Sequence, residues 1–212
     1  TGKRADAEPV VPEALRRPGV RRTFIVESWA THWTRAMENM LDAPHLPFIH
    51  ARTIGRRMKR TLRPDSRIDQ EITTLPTGFE LRFAIDGKQS GRLDWLEPNG
   101  MVLYLLDQPR RFLRMHVWCV PESTGRTRMI IASTQDFGLL TPLAALGDGY
   151  NRRILTEDRA VVESSCPSEV PPPGEERSVA SDVATLRFRA WYHRTIRQSE
   201  AGTAPGLVSI GR

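Results

Sequence analysis

Gly78-Phe79-Glu80-Leu81-Arg82-Phe83-Ala84-Ile85-Asp86 alternates apolar and polar side chains, with Phe79, Leu81, Phe83 and Ile85 all on one side. In an extended chain successive side chains point to opposite faces, so this stretch predicts a half-buried strand. Toward the C-terminus, residues 91–97 and 101–106 read as two more strands around the turn signal Pro98-Asn99-Gly100. Residues 112–120 and 126–136 form a further pair across Glu122-Ser123-Thr124-Gly125. Toward the N-terminus, residues 66–75 and 23–28 are strand-like, and residues 31–42 carry Trp33, Met37 and Met40 or Leu41 at helical spacing. Pro44 must disturb that helix near its end. Consecutive hairpins imply an antiparallel, twisted sheet of about five to seven strands.

Beyond the last strand the alternation stops. Residues 139–164 read as helix broken near Gly147 and Gly149, and residues 166–174, with Pro171-Pro172-Pro173, as a loop. Ser181 and Asp182 are caps for a last helix to about Gln198, with Val183, Leu186, Trp191 and Ile196 as its apolar positions. Helix, antiparallel strands, then helices describe an α+β fold in which a sheet curves around a cavity.

The 212 residues suit one domain, and 39% apolar content is that of a globular protein. Residues 1–22, rich in Pro, Ala and Arg, read as a linker, residues 23–200 as the domain and residues 201–212 as a loose tail. No apolar run is long enough to span a membrane, and Thr1-Gly2-Lys3-Arg4 does not open a signal peptide. The absence of an initiating Met points to a piece of a longer chain. Cys119 and Cys166 lack any CxxC or CxH context, so they read as reduced thiols of a cytoplasmic protein and cannot hold an iron–sulfur cluster. Much of the net charge of +6 lies in Arg52, Arg56, Arg57, Lys59, Arg60 and Arg63. No stacking aromatics interleave with this run, which argues against nucleic acid and for a solvated face or a docking surface for an acidic protein or neighbouring subunit.

Chemistry concentrates in Glu38-Asn39-Met40-Leu41-Asp42-Ala43-Pro44-His45-Leu46-Pro47-Phe48-Ile49-His50. Two histidines five apart, at a helix end where the backbone bends, read as two imidazole ligands for a mononuclear iron. A third ligand then comes from elsewhere and is a carboxylate. Asp158, in Leu155-Thr156-Glu157-Asp158-Arg159-Ala160-Val161-Val162-Glu163-Ser164, is the preferred choice. Glu157 and Glu163 are rivals that pattern does not exclude, and a solvated helical Glu-Asp pair is the plain alternative. Trp118, Ile130, Ala132 and Met37 are candidates to line a pocket, or else plain core. His32 and His116 are possible pocket groups, more simply structural or exposed, and His193 is a surface residue.

Asn39-x-x-Asp42-x-x-His45-x-x-x-x-His50, followed by Glu157-Asp158-Arg159-x-Val161-Val162-Glu163, resembles the catalytic domain of Rieske non-haem iron oxygenases. The nearer type is the α-subunit class with vanillate demethylase-like and pheophorbide oxygenase-like enzymes. Trp33-Thr34-Arg35-Ala36-Met37-Glu38-Asn39 and Thr53-Ile54-Gly55 match as well, and the likeness spans about residues 27–194. It implies a helix-grip fold, a curved sheet closed by a long C-terminal helix. It implies Fe(II) held by His45, His50 and Asp158. Asp42 would bridge to a histidine of a neighbouring subunit's Rieske cluster, and Asn39 would sit near the iron.

The resemblance further implies hydroxylation or oxidative demethylation of an aromatic or related organic substrate with O2. Electrons would come from NAD(P)H through a reductase or ferredoxin and a [2Fe-2S] Rieske cluster, in a homotrimer. The family's N-terminal Rieske domain, with its CxH and CxxH motifs, has no counterpart in this sequence, so this piece alone would be inactive. A non-catalytic helix-grip ligand-binding domain is the alternative; it predicts that His45, His50 and Asp158 do not converge.

Overall fold

The computed structural model describes residues 11–109, 111–137, 144–172 and 174–198. Seven strands form one antiparallel sheet: β1 (Arg21–Trp29), β2 (Ile68–Leu75), β3 (Gly78–Ile85), β4 (Lys88–Leu96), β5 (Gly100–Gln108), β6 (Arg111–Ser123) and β7 (Arg126–Gln135). Their order is β1-β7-β6-β5-β4-β3-β2. From β2 to β7 each strand pairs with its neighbour in sequence, as hairpins dictate. The β3–β4 link is the two-residue turn Asp86-Gly87, both at positive φ (51° and 71°), whose twist suits the flanking strands. β1 instead crosses to pair with β7, Ile25 facing Ile131.

Register places one apolar row across the sheet. Ile25 faces Ile131, Ile131 faces Val117, Val117 faces Met101, Met101 faces Trp95 and Trp95 faces Phe79. Every member is buried. Burying each such side chain contributes about 1.5–3 kcal/mol, so the row anchors the inner face.

The helices are α1 (Glu13–Arg16), α2 (Trp33–Leu41), α3 (Leu46–Ile49), α4 (Arg56–Thr61), α5 (Ala144–Val162) and α6 (Val183–Tyr192). α2 lies on the inner face, in contact with β6 and β7. α6 closes the same face, with Phe188 and Trp191 edge-on to Trp95 at ring-centroid distances of 5.6 and 5.0 Å. Trp33 of α2 meets Phe188 at 5.8 Å, so both helices and the sheet share one aromatic cluster. A largely buried ion network also ties α2 to α6. Arg35 meets Glu38 at 2.9 Å and Glu176 at 2.7 Å, and Arg189 meets both Glu38 and Glu176. This is the α+β helix-grip arrangement, with a curved seven-stranded sheet.

Three expectations are corrected. α5 runs through Gly147 and Gly149 without a break, because its buried stripe of Ile154, Leu155, Asp158 and Val162 docks on the core. That burial outweighs a cost of about 1 kcal/mol per glycine; residues 139–143 lie outside the described residues. The last helical segment is not one uniform helix. It opens with a 3-10 turn at Ala180–Asp182 and ends in a π-helical turn at His193–Arg197. Its buried face is Ala184, Phe188, Trp191 and Tyr192, while Val183 and Leu186 are exposed.

Candidate metal centre

α2 ends at Leu41, where Asp42 leaves helical geometry (φ −81°, ψ 96°) ahead of Pro44. The chain then turns into the single-turn α3, with His45 before its first residue and His50 after its last. His45 O accepts the N–H groups of Phe48 and Ile49, and His50 O accepts those of Thr53 and Gly55. The two imidazoles are thereby fixed on adjacent turns, their centroids 5.2 Å apart and their planes at 64°.

Asp158 comes from α5, 108 residues after His50. It is 4% exposed, and its Oδ1 lies 2.9 Å from His50 Nε2 and 3.5 Å from His45 Nε2. One donor atom from each of His45, His50 and Asp158 lies within 4.8 Å of the others. Among the described residues this is the one group of three or more such side chains so placed.

The surrounding groups hold these donors in place. Asn39 Nδ2 donates to Asp158 Oδ1 at 2.9 Å. His50 Nδ1 faces Glu157 Oε2 at 3.0 Å, and Thr53 Oγ1 donates to the same oxygen at 2.7 Å. Arg153 Nε reaches the other Glu157 oxygen at 3.3 Å. An ionised Glu157 accepts Nδ1–H of His50, which leaves the Nε2 lone pair pointing at the shared centre. Asp42 Oδ2 is 3.7 Å from His45 Nδ1, on a side chain 37% exposed. Asp42 thus stands between His45 and solvent.

The electrostatics favour positive charge here. Burial alone would lower the pKa of His45, but the Asp158 and Asp42 carboxylates outweigh it and bring it up to about 9. His50 is raised in the same way, by Asp158 and Glu157 against burial. Burial would raise Asp158, yet His45 and His50 hold it down to about 2. Glu157 is also lowered, burial being offset by His50, Thr53 and Arg153. Both ring nitrogens of His45 are buried without a hydrogen-bond partner. At 3.5 and 3.7 Å its carboxylate neighbours attract it as charges but are too distant to bond it. A buried imidazole with no bond, two carboxylates beside it and a second imidazole facing the same point make a donor set that fits a divalent cation.

Over this group lies an apolar pocket of about 50 Å³, walled by Met40, Leu46, Ile54, Ile154 and Leu155 from the helices and loops and by Met101, Leu103, Met115, Val117 and Ile131 from the sheet. The predicted lining residues are corrected. Val117 and Ile131 face inward, so their neighbours Trp118, Ile130 and Ala132 face the opposite side of the sheet, and Met37 is sealed in the core. His116 also faces away, buried against Trp118, and burial with the nearby Arg114 charge lowers its pKa to about 4. His32 is buried as the N-terminal cap of α2, its Nδ1 accepting Thr34 N–H at 3.4 Å. His193 is half-buried, with Nε2 3.0 Å from Pro171 O. Sequence reasoning missed the roles of Glu157 and Thr53 as partners of His50; for Glu157 the available signal was its place beside Asp158 on a helix.

A family model described as the vanillate O-demethylase oxygenase C-terminal domain matches residues 29–198. No curated protein matches the chain by sequence. Among solved structures, Pseudomonas putida CBB5 NdmA with caffeine superposes with a TM-score of 0.75 at 18% identity, over 92% of this chain and 57% of that one. Pseudomonas putida CBB5 NdmB gives 0.69 at 20% identity, over 87% and 52%. Dicamba monooxygenase bound to dicamba gives 0.70 at 16% identity, over 95% and 66%. The chain therefore spans a little over half the length of the NdmA and NdmB structures, and at these identities the likeness shows the fold.

Proposed function

The chain belongs to the vanillate O-demethylase oxygenase C-terminal domain family, the catalytic domain of Rieske oxygenases, and from that premise we propose that it is the iron-binding part of an oxygenase acting on an aromatic or related organic substrate. The reaction proposed is hydroxylation or oxidative demethylation with O2. The observation that carries this reading is the convergence of His45, His50 and Asp158 beneath an apolar pocket. A ligand-binding domain without chemistry has no use for that convergence. The ring compounds caffeine and dicamba, named as bound in the neighbours, support a small aromatic substrate.

His45, His50 and Asp158 would hold the iron, which when bound supplies the redox chemistry that lets O2 react with an organic carbon. The remaining steps belong to the chain. Glu157 fixes the tautomer of His50, and Thr53 fixes Glu157. Asn39 holds the Asp158 oxygen that both histidines share. The apolar wall binds the substrate's carbon skeleton and excludes water from the reacting centre. Asp42, partly exposed beside His45, is the group through which an electron from a neighbouring subunit's [2Fe-2S] cluster would enter. Such delivery needs a Rieske domain outside this sequence, a ferredoxin or reductase drawing on NAD(P)H, and a homotrimer in the cytoplasm.

The test is metal content after anaerobic loading with Fe(II). The unaltered chain is expected to retain about one iron, and His45→Ala and Asp158→Ala to lose most of it while keeping native circular dichroism. Undiminished iron in both variants removes the ligand assignment.

A further inference from the structure

We propose that β1 is an interface through which two copies of this chain join edge to edge, antiparallel about a two-fold axis, into one continuous sheet. β1 and β2 are the outermost strands of the seven-stranded order, so each has one side with which no strand of the described residues pairs. An open strand edge presents unmet backbone donors and acceptors, and folded proteins blunt such edges with charge or with cover.

The two edges are treated differently. β2 presents the exposed carboxylates Asp69 and Glu71. The 3-10 turn at Ala180–Asp182 lies against it, and Gln70 Nε2 donates to Ser181 O at 2.9 Å. In the corresponding outward positions β1 carries Phe24 and Val26, 59% and 58% exposed. It contains no proline, and it runs nine residues in unbroken register with β7, so no bulge twists its free side away. α1, the helix that precedes it, packs against β7 instead. A long, regular, apolar edge of this kind is suited to receive another strand.

The order of charges along the strand selects the partner. Arg21-Arg22-Thr23-Phe24-Ile25-Val26-Glu27 is basic at its start and acidic at its end. Paired antiparallel with itself, it sets each basic end beside the acidic end of the other copy, whereas a parallel pairing stacks like charges. With the two-fold axis at Ile25, Phe24 of each copy lies opposite Val26 of the other on the outward side, and Thr23 lies opposite Glu27 on the inward side. Aromatic and β-branched side chains directly opposite each other stabilise a ladder. Such a contact closes at two copies, because each chain has one β1. Being two-fold, it is separate from the three-fold assembly proposed above and joins two of those assemblies where both contacts form.

Analytical ultracentrifugation from micromolar to millimolar chain tests the contact, with circular dichroism on the same samples as a check of the fold. The 24.0 kDa chain is expected to reach twice its mass, or to double the mass of the trimer where that forms. Val26→Lys is expected to weaken the association roughly 30-fold, because one change removes two cross-strand pairs across the two-fold axis. Glu27→Arg is expected to weaken it too, and Arg21→Glu/Glu27→Arg to restore it, a recovery that antiparallel self-pairing alone gives. Val183→Lys, at an exposed apolar position of α6, is the control and is expected to leave the mass unchanged. A monomer at every concentration, or a trimer that never doubles, overturns the interface. So does association that Val26→Lys leaves intact, that Val183→Lys weakens equally, or that the charge exchange fails to restore. Open-ended growth also overturns it, since that requires β1 to meet a different surface.

Discussion

At the scale of single residues, the centre depends on how firmly His50 is held. Its Nδ1 has one partner, Glu157 Oε2, itself gripped by Thr53 and Arg153. Glu157→Gln keeps the shape but removes the charge that fixes the tautomer. Loss of such a supporting carboxylate weakens metal binding by about 10–100-fold. Competitive titration of Fe(II) against a chelator should show that loss with unchanged circular dichroism, and an unchanged affinity would take Glu157 out of the site's support. Residue by residue, legibility was uneven. His45 and His50 stand out because Pro44 and Pro47 mark the helix end at which they sit. Asp158, Glu157 and Glu163 did not separate by type or spacing. They separate by helical face: Asp158 shares the buried stripe with Ile154, Leu155 and Val162, Glu157 flanks it, and Glu163 turns away to accept Ala30 N–H at 2.7 Å and Arg159 Nε at 2.8 Å. The rival carboxylate thus belongs to the site in a different role.

At the scale of elements, the angle between α3 and α4 sets where the histidines point. Gly55 sits at the joint at φ −80°, an ordinary value, so its reason for being glycine is closeness. A Cβ there would lie 1.8 Å from Leu46 O and 3.0 Å from His50 O. Both are backbone atoms that cannot swing aside, so Gly55→Ala must push α3 and α4 apart. Overpacking costs about 1–3 kcal/mol, and this site belongs at the upper end. Because the displaced backbone includes His50, iron should be lost together with stability, as denaturant melts and metal analysis on one preparation would show. A variant as stable and as iron-rich as the unaltered chain would mean that the joint is not rigid. The strands were legible because period-two alternation is a local property, and the Asp86-Gly87 turn is local as well. What failed was the choice of face. Trp118, Ile130 and Ala132 look like pocket residues, but the outer face of β6 and β7 is apolar here as well, with Trp118 and Ile130 half-buried and Ala132 at 0% exposure, so hydrophobicity cannot say which side is in. α6 shows the same ambiguity: Val183 and Leu186 are as apolar as its core residues, yet the helix turns Phe188 inward.

At the scale of the whole molecule, hairpin order from β2 to β7 follows from neighbouring stretches of sequence, whereas the β1–β7 pairing joins segments about a hundred residues apart. No local pattern encodes that closure, and the centre depends on it, since it returns the chain following β7 to the face where α2 lies. The His50–Asp158 contact bridges 108 residues and exists only when this topology is complete. The unfolded chain keeps Asp158 far from the two histidines on average, so an ion that needs all three binds the folded state almost exclusively. Such binding stabilises the fold by RT ln(1 + [L]/Kd), about 4 kcal/mol at a thousand-fold excess over Kd. For a chain of this length each kcal/mol moves Tm by about 2–4 °C, so Fe(II) added anaerobically should raise Tm by about 8–16 °C. His50→Ala removes a ligand supplied by the α3 end of the site, and Asp158→Ala removes the one supplied by α5. If the ion links the two ends, either change alone should flatten the response. Each variant must also melt as one transition without iron, because an ion that ties together parts already folded can stabilise only what folds as a unit. A shift that persists in Asp158→Ala would place the ion on the histidines alone and sever the link between metal binding and the long-range closure of the sheet.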